Sequence, residues 1–440
     1  MKERKEVRIA ILGGGASGLM AAMAASEVID GRQIAVFDRN VSPGKKLLAT
    51  GNGRCNLSNR NCRGDDYRKA VKQSAAVGKV QECADAVAAF VSTAFRSFGP
   101  EETLHYFETL GLMTREEADG RIYPHSGQAA SVTSVFEKGL VRRNVRWMGG
   151  TPVKAVRMEE DRFVIELEDG RDYRAAALIL ATGGKAGGCY GSIGDGYRMA
   201  RVFGHGLAAT APALVQMTVH SSALRGLKGV REKGCVRLMD AAGQRIYAEA
   251  CGELQFTETA LSGICIFDLS RSVQALEDGG CIAVDLFPER TTESLTHFLQ
   301  GCADAMREQP AEELLTGMVN PKLIAVYYAR WCRAEGWKSG AAPRAGQLCP
   351  EEIRTLAALL KDWRIPVDGT KGWAEAQVTS GGIPIGEVNP RTMESRCRPG
   401  LYLAGELLNV DGPCGGFNLQ WAWTSGYLAG RAAADRQTRG

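Results

Sequence analysis

The chain has 440 residues, which at about 150 residues per domain predicts roughly two to four domains. Apolar residues make up 45% and charged residues 24%, ordinary values that exclude wholesale disorder, a collagen-like chain and a coiled-coil rod. The 54 Lys and Arg against 50 Asp and Glu leave a net charge of +4, too small to favour nucleic acid or a membrane as partner, so we expect a small-molecule partner.

The spacing of the cysteines and the length of the apolar runs indicate the cellular compartment of the protein. The 13 cysteines are scattered from Cys55 to Cys414, and no two stand in a CxxC spacing. This pattern predicts neither a disulfide framework nor a zinc or iron–sulfur site, and it favours a reducing compartment. The N-terminal apolar run is too short for a signal peptide, and no apolar run reaches the roughly 20 residues of a membrane-spanning helix. We therefore expect a cytoplasmic protein with no metal site.

The first part of the chain predicts a strand, a glycine turn, a helix and a second strand. Residues 7–12 read as a strand, residues 13–18 are GGGASG, and residues 19–25 favour a helix. A second apolar run ends at Asp38, about 20 residues after Gly18, which is the spacing of a dinucleotide-binding βαβ unit.

Each motif residue has a predicted role at a dinucleotide. Gly13 allows the tight turn, Gly15 lets the backbone approach a pyrophosphate, and Gly18 permits close packing of helix on strand. The N-terminus of the helix offers N–H donors and partial positive charge to the same anion. We expect Asp38 to accept hydrogen bonds from ribose hydroxyls, which favours FAD or NAD over a cofactor with a 2′-phosphate.

A segment rich in small and polar residues follows the second strand. Residues 43–56, PGKKLLATGNGRCN, offer the basic side chains of Lys45, Lys46 and Arg54 to phosphates. The backbone N–H groups of residues 51–53 are candidates to approach a flavin. A solvated basic loop is the alternative interpretation.

The rest of the chain predicts an insertion into this nucleotide-binding domain. Residues 67–112 have a helical pattern, and residues 145–181 read as strands. The runs CVRLMD, RIYAEA, GICIFDLS and CIAVDLF predict a small antiparallel sheet or barrel, and residues 292–337 read as helices. A strand at 400–404 and a glycine turn then precede an apolar helix from Phe417, which returns to dinucleotide-type sequence.

We therefore predict an α/β fold with three parts. Its domains are a nucleotide-binding domain at 1–190 and 376–440, an inserted antiparallel β-barrel at 191–290 and 341–375, and a small helical subdomain at 291–340. The second glycine turn places another helix N-terminus beside the site, where its dipole is suited to the negative charge of a reduced flavin. An ordinary turn before a core helix is the alternative.

Five segments carry a specific family resemblance: RIAILGGGASGLMAA, GKKLLATGNGRCNLSN, ATGG, VTSGGIPIGEVNPRTMES and GLYLAGELLNVDGPCGGFNLQWAWTSGYLAG. They resemble the BaiN/RdsA-type flavoprotein family, also called the YhiN type, over nearly the whole chain. The resemblance implies a glutathione-reductase-type FAD-binding Rossmann domain, with an inserted β-barrel and a small helical domain. It also implies NAD(P)H- and FAD-linked oxidoreduction, including reduction of C=C bonds in 3-oxo bile-acid intermediates. Asn52 stands where the family more often has Gly, and Asn409 where an Asp is common.

The motifs and the resemblance together predict the residues that contact FAD. They are Gly13, Gly15, Ala16, Ser17, Gly18, Asp38, Arg39, Lys45, Lys46, Gly51, Asn52, Gly53, Arg54, Cys55, Asn56, Val153, Ala181, Thr182, Gly183, Gly184, Gly405, Glu406, Asp411, Gly415, Gly416, Phe417 and Asn418. No second GxGxxG follows a predicted strand, so NADH or NADPH is expected only as a transient electron donor.

Tyr123 and His125, in the sequence GRIYPHS, are the candidate catalytic residues. Either is able to protonate a carbanion formed after hydride transfer, and a merely packed or exposed role is the alternative. Cys55 and Cys414 suggest a redox-active disulfide, but we favour a structural role because their spacing is unlike that of dithiol reductases.

The favoured function is an FAD-dependent oxidoreductase that transfers hydride from NADH or NADPH to a conjugated C=C bond of a hydrophobic ring system, such as a 3-oxo-Δ4 bile acid or steroid. The alternatives are an FAD-dependent amine oxidase that uses O₂ and a non-catalytic flavin redox sensor. A basic stretch at 225–233 reads as a solvated loop, with an anionic substrate tail or a nicotinamide-cofactor phosphate as alternative ligands. The oligomeric state stays open.

Overall fold

The structure, a computed structural model, describes residues 5–67, 79–276, 279–337 and 343–439. Its strands are β1 (Lys5–Leu12), β2 (Ile34–Asp38), β3 (Ser58–Asn59), β4 (Thr114–Glu116), β5 (Arg121–Pro124), β6 (Arg146–Gly149), β7 (Val153–Glu159), β8 (Arg162–Leu167), β9 (Asp172–Leu180), β10 (Ala211–Ala213), β11 (Met217–Val219), β12 (Arg231–Asp240), β13 (Ile246–Phe256), β14 (Ala260–Ser262), β15 (Gly280–Asp285), β16 (Trp363–Thr370), β17 (Val378–Ser380) and β18 (Leu401–Leu403). Its helices are α1 (Ala16–Ala25), α2 (Lys79–Phe95), α3 (Pro100–Thr109), α4 (Ala129–Arg142), α5 (Asp195–Arg201), α6 (Ile264–Leu269), α7 (Thr292–Ala305), α8 (Pro321–Glu335), α9 (Pro350–Lys361) and α10 (Phe417–Arg439). Among the described helices, none is both long enough and apolar enough to cross a membrane.

The chain divides into two compact units. Residues 1–213 and 373–440 make the first unit, and residues 214–372 make the second. The sequence predicts the first boundary after residue 190, before α5 and β10. The structure places it later because β10 pairs with β17 inside the first unit.

The first unit is built on a sheet that contains seven of the described strands. The order is β6-β2-β1-β9-β8-β7, and β18 pairs with β9. β1 runs parallel to β2 and to β9, so the carboxyl ends of these strands meet at one edge. β7, β8 and β9 are joined as antiparallel neighbours. The predicted Rossmann-type α/β fold is confirmed, and it positions a ligand site at this edge.

Helix α1 is buried on nearly all sides, which its Ala, Gly, Leu and Met content permits. It packs against α10 through direct backbone contact. A Cβ at Gly426 would lie 2.3 Å from the Ser17 carbonyl oxygen, and one at Gly430 would lie 2.2 Å from that of Ala21. The unit is therefore assembled from the N-terminal and C-terminal parts of the sequence, as predicted.

The second unit contains a closed barrel of strand order β11-β14-β13-β12-β15-β16, which confirms the predicted barrel. Helices of the second unit pack side chains into the same core as the barrel strands. The ring centroid of Trp363 in β16 lies 5.6 Å from that of Phe256 in β13 and 5.4 Å from that of Tyr327 in α8. α7 and α8 thus belong to one core with the barrel, whereas the sequence predicts a separate subdomain at residues 291–340. The predicted boundary between residues 340 and 341 lies outside the described residues.

Two stretches assigned to the barrel by sequence are helices. The run GICIFDLS contains α6, and the segment 341–375 contains α9 before it reaches β16. An apolar run of six residues fits a buried strand and a buried helix turn equally well, so periodicity does not separate them. The helical part of the predicted stretch 67–112 is seen in α2 and α3, and residues 68–78 lie outside the described residues.

The cysteine pattern predicts no disulfide framework, but the described residues contain one disulfide bond. Cys235 of β12 and Cys251 of β13 are bonded. The antiparallel register of the two strands places these residues directly opposite each other. Their sequence separation of 16 does not reveal this contact, because it depends on which residues form the hairpin register.

Candidate functional site

The glycine turn between β1 and α1 is closed by backbone contacts. Gly13 has φ +104°, and a Cβ on it would lie 2.3 Å from the Ala181 carbonyl oxygen. A Cβ on Gly18 would lie 1.8 Å from the Gly13 carbonyl oxygen. Gly15 differs, since a Cβ on it meets no atom within 4 Å. The turn therefore leaves open space in front of the first N–H groups of α1, where the sequence predicts an anion.

Asp38 ends β2 at the same edge of the sheet. Its Oδ2 accepts the Gly14 N–H and its Oδ1 accepts the Asn40 N–H, both at 2.6 Å. These bonds orient the carboxylate, and each oxygen keeps a lone pair for a ribose hydroxyl. The cavity beside it is lined by residues that include Gly13, Asp38, Arg39, Val153, Thr182 and Asp195. The structure thus brings together predicted residues from distant segments and adds Asp195.

The segment after β2 turns sharply through residues in left-handed conformations. Gly51, Asn52, Gly53 and Cys55 have φ values of +56°, +55°, +81° and +59°. Glycine and asparagine adopt this region most readily, which explains why Asn52 is tolerated where the resembling family more often has Gly. The turn leaves the Oδ1 of Asn56 buried, with no hydrogen-bond partner among the described residues.

The C-terminal glycine turn lies against this segment. Gly416 has φ +102°, and a Cβ on it would lie 2.3 Å from the Ser58 carbonyl oxygen and 2.9 Å from Asn56 Oδ1. Asn418 accepts the Gly412 N–H at 2.8 Å through Oδ1, which holds the turn. Asn59 donates through Nδ2 to the Gly415 carbonyl oxygen at 3.0 Å. The two glycine-rich turns predicted to contact a flavin are therefore neighbours.

Other residues of the C-terminal motif are tied into the interior. Gly405 has φ +75°, and a Cβ on it would lie 2.5 Å from Ser17 Oγ at the start of α1. Asp411 is buried and accepts the Ser380 hydroxyl at 3.3 Å. Gln420, two residues after Asn418, is fully buried and accepts a hydrogen bond from the core hydroxyl of Ser58. Its role is to connect α10 to β3.

A hydrogen-bond network joins four separate segments near Gly184. Lys46 donates to Glu406 Oε2 at 2.9 Å and to the Ala186 carbonyl oxygen at 3.1 Å. Glu406 Oε1 accepts the Thr379 N–H at 2.8 Å, and Thr379 Oγ1 accepts the Ala186 N–H at 3.0 Å. A Cβ on Gly184 would lie 2.3 Å from Thr379 Oγ1. The charge of Lys46 is thus balanced by Glu406, and the network requires glycine at 184.

Tyr123 lies on β5 in a small sheet of order β3-β5-β4. It is 8% exposed, and the Arg54 guanidinium lies 4.2 Å from its ring centre. Arg54 is held in turn by an ion pair with Glu117. A Cβ on Gly51 would lie 3.4 Å from the Tyr123 ring, so the ring borders the turn that is predicted to contact a flavin. Burial raises the pKa of Tyr123, and nearby arginine charges oppose this rise.

Several predicted site residues do not join this arrangement. His125 and Lys45 are both exposed, although each is close in sequence to residues of the site. In the second unit, Lys228 and Arg231 of the basic stretch each pair with a glutamate, at 2.7 and 3.5 Å.

The two cysteines of the cofactor motifs are not bonded to each other. Among the described residues, neither Cys55 nor Cys414 takes part in a disulfide bond. Burial raises the pKa of the Cys55 thiol to about 11, so it is a poor nucleophile at neutral pH. These observations support a structural role for Cys55.

Sequence reasoning missed Thr379 and Asp195 as site residues. Thr379 lies within the quoted motif VTSGGIPIG. Its hydroxyl oxygen accepts hydrogen bonds from the backbone N–H groups of Lys185 and Ala186, which lie on a loop distant in sequence. Asp195 pairs with Arg39 across the cavity, at 2.5 Å between Oδ2 and Nη2. No spacing rule predicts either contact, because both depend on how separate loops meet.

The residues present fit FAD. The open space at Gly15 suits a pyrophosphate, and the cavity at Asp38 suits the adenosine part. The buried Oδ1 of Asn56 is an acceptor in need of a donor, and it lies beside the two glycine turns that the sequence predicts to contact a flavin.

Comparison with known proteins agrees with this fit. The profile of the HI0933-like protein Rossmann domain matches residues 7–432. A 3-dehydro-bile acid delta(4,6)-reductase of Clostridium scindens is 39% identical over 98% of this chain and 99% of its own. A ribosomal RNA dihydrouridine synthase of Escherichia coli is 29% identical over 95% of each chain.

A solved structure shares the fold at low identity. The 3-ketosteroid delta1-dehydrogenase of Sterolibacterium denitrificans, in complex with 1,4-androstadiene-3,17-dione, covers 98% of this chain and 100% of its own. The TM-score is 0.50 and the sequence identity is 13%, so the likeness concerns the fold alone.

Proposed function

This chain belongs to the HI0933-like Rossmann-domain family and is an FAD-dependent oxidoreductase, and from that premise we propose that it reduces a conjugated C=C bond in a hydrophobic ring substrate. The substrate class proposed is a 3-oxo-Δ4 bile acid or steroid, with NADH or NADPH as electron donor. The observation that carries this proposal is the 39% identity, along almost the full length, to a relative named as a bile acid reductase. We place the reaction in the cytoplasm, with a small molecule rather than nucleic acid as partner.

The reaction requires a hydride at one carbon of the double bond and a proton at the other. Bound FAD supplies the hydride-transfer chemistry, so the chain must bind the cofactor and deliver the proton. Tyr123 is the side chain best suited to proton delivery. Its hydroxyl is protonated at neutral pH, because burial raises its pKa further above the ordinary value of 10.0, and the Arg54 charge beside the ring partly offsets the cost of the phenolate that remains after transfer.

A second candidate comes from the relative named ribosomal RNA dihydrouridine synthase. Dihydrouridine is uridine with its ring C=C bond reduced, so the two named activities concern the same kind of bond. The bile acid or steroid class is favoured by the higher sequence identity. It is also favoured because Lys228 and Arg231 are paired with glutamates, which reduces the positive charge available to an RNA backbone.

A redox sensor and an amine oxidase both receive less support. A non-catalytic redox sensor is set aside because the chain is an enzyme of this family. An amine oxidase is not suggested by either named relative.

The test separates the two half-reactions. The purified enzyme is reduced anaerobically with NADH or NADPH and then mixed with a 3-oxo-Δ4 bile acid, while the flavin absorbance is followed. We expect rapid reoxidation in the wild type, and a rate lower by about 10²–10⁴ in Tyr123→Phe, because a general acid contributes that factor. Reduction by NAD(P)H should stay near normal in the variant.

His125→Ala tests the other candidate acid, and because this exposed residue follows β5 with its side chain outside the buried ring contacts of Tyr123, we expect both half-reactions to stay unchanged. Slowing of both half-reactions by Tyr123→Phe would assign Tyr123 a structural role. If conjugated enones never reoxidise the wild type, uridine-containing RNA tests the second candidate, and reduction by an amine followed by O₂ tests the oxidase.

A further inference from the structure

A glycine-rich loop beside the adenosine cavity is held by two side chains that follow β2. We call residues 187–194, between β9 and α5, the latch loop. We propose that Arg39 and Asn40 hold the latch loop closed over the adenosine end of FAD, and that opening of this loop controls release of the cofactor. The inference rests on the assignment of the Asp38 cavity to adenosine.

The contacts at the latch loop are polar and shielded. Arg39 Nη2 lies 2.5 Å from Asp195 Oδ2, directly after the loop, and the two side chains are only 30% and 17% exposed. Asn40 donates through Nδ2 to the Tyr190 carbonyl oxygen at 2.9 Å. Arg39, Gly191 and Asp195 line the same cavity as Asp38, so these contacts close one of its walls.

The glycines of the latch loop show where close approach is required. Gly191 has φ +102°, and a Cβ on it would lie 2.7 Å from Asn40 Nδ2 and 3.1 Å from Arg39 Cδ. Gly188, three residues earlier, has no atom within 4 Å of the corresponding position. The loop therefore needs glycine at 191 to reach the two holding side chains, whereas it has room for a side chain at 188.

Beyond these contacts, the Gly187 N–H donates to the Trp373 carbonyl oxygen at 3.4 Å and Ser192 is buried, whereas the tip of the latch loop is exposed. Gly188 and Cys189 at its tip are exposed, and Ile193 is 49% exposed. A segment with few buried apolar contacts opens at low cost, so the polar contacts of Arg39 and Asn40 dominate its closure. Loss of either contact should increase the rate of opening without disturbing the sheet beneath.

The test measures how fast FAD leaves. Purified FAD-loaded protein is diluted, and the rise in flavin fluorescence gives the dissociation rate. We expect Arg39→Met, Asp195→Asn and Gly191→Ala each to increase this rate about ten- to a hundredfold, the range for loss of a hydrogen bond to a charged group. The double variant Arg39→Met/Asp195→Asn should be no faster than the faster single variant, because both remove the same ion pair.

Two controls keep the outcome interpretable. Gly188→Ala should release FAD at the wild-type rate, and the cofactor-free forms of Arg39→Met and Asp195→Asn should unfold at the wild-type urea concentration. Wild-type dissociation rates in Arg39→Met and Asp195→Asn would overturn the latch, as would an equal loss of stability in their cofactor-free forms. A wild type that holds no FAD would instead overturn the cofactor assignment itself.

Discussion

The three motif glycines after β1 serve different purposes. Gly13 and Gly18 are required by the fold, since added Cβ atoms would lie 2.3 and 1.8 Å from backbone oxygens. Gly15 is not required by the fold, because its φ of −82° suits any residue and the space beside it is open. Within the six-residue turn 13–18, a substitution at Gly15 should therefore affect cofactor binding alone, whereas a substitution at Gly13 or Gly18 should affect folding.

We predict that Gly15→Val folds but does not retain FAD. The added side chain would occupy the space that we assign to the pyrophosphate, while no protein atom is displaced by its Cβ. Gly18→Val should instead lower the free energy of unfolding by about 3 kcal/mol or more, because overpacking forces the backbone to move. Flavin absorbance of the purified protein and urea unfolding of the cofactor-free form measure the two effects. Full flavin content in Gly15→Val would contradict the assignment.

We also predict a loss of stability at high pH from buried thiols. Burial raises the pKa of Cys55 to about 11 and that of Cys62 to about 12, from an ordinary value of 9.0. Below pH 9 both thiols are protonated in the folded and the unfolded chain. Above pH 9 only the unfolded chain ionises, so the free energy of unfolding falls towards pH 11, by about 1.4 kcal/mol per unit of pKa difference for each thiol.

The variant Cys55→Ala is the control for this pH effect. Urea unfolding between pH 8 and 11 should show a shallower decline in the variant than in the wild type. Equal slopes would mean that Cys55 ionises as readily in the folded protein as in the unfolded chain.

Among single residues, the sequence predicts those whose role depends on neighbours close to them along the chain. Gly13, Gly15 and Asp38 could be assigned because strand, turn and helix spacing fixes their relation to a dinucleotide. Thr379 and Asp195 could not be, because their partners Ala186 and Arg39 lie on loops whose meeting depends on the whole unit.

At the scale of elements, the β12–β13 hairpin is strengthened by the Cys235–Cys251 disulfide. We predict that Cys235→Ser lowers the free energy of unfolding of the second unit by about 3 kcal/mol, the value for a loop of this length. Reducing agent should lower wild-type stability by a similar amount and leave the variant unchanged. Thermal unfolding with and without reductant, with Cys349→Ser as an exposed control, measures this difference. Identical curves with and without reductant would contradict it.

The run GICIFDLS shows where element prediction from sequence fails. Its apolar residues fit a short strand, but Gly263, with φ +103°, ends β14 and starts a helical turn. The amphipathic pattern of α9 was equally overlooked, although Ile353, Leu356 and Leu360 recur at helical spacing on its buried side. Longer elements such as α10 were predicted correctly because their periodicity extends over several turns.

At the scale of the whole molecule, the second unit interrupts the first between two paired strands. Ala213 is the last residue of the first unit before the second unit begins, and the first unit resumes at residue 373. Ala213 pairs with Val378 of β17, five residues after that point. We predict that a chain in which residues 214–372 are replaced by a short Gly-Ser linker still binds FAD, because its exit and return points are adjacent. Flavin content and urea unfolding test this prediction. The slope of the free energy of unfolding against urea concentration should decrease, because the shorter chain buries less surface. A deletion variant without flavin and without cooperative unfolding would contradict it.

The backbone contact of α1 with α10 has a consequence for how the protein is made. Gly426 and Gly430, which meet Ser17 and Ala21, are translated roughly 400 residues after them, or about 20–80 s later at ordinary ribosome speeds. During that interval the glycine turn of residues 13–18 has been synthesised without α10, which packs against the helix that follows this turn. A ribosome that stalls within the second unit would therefore release a chain that has residues 13–18 but lacks α10, so that the backbone contacts at Ser17 and Ala21 do not form.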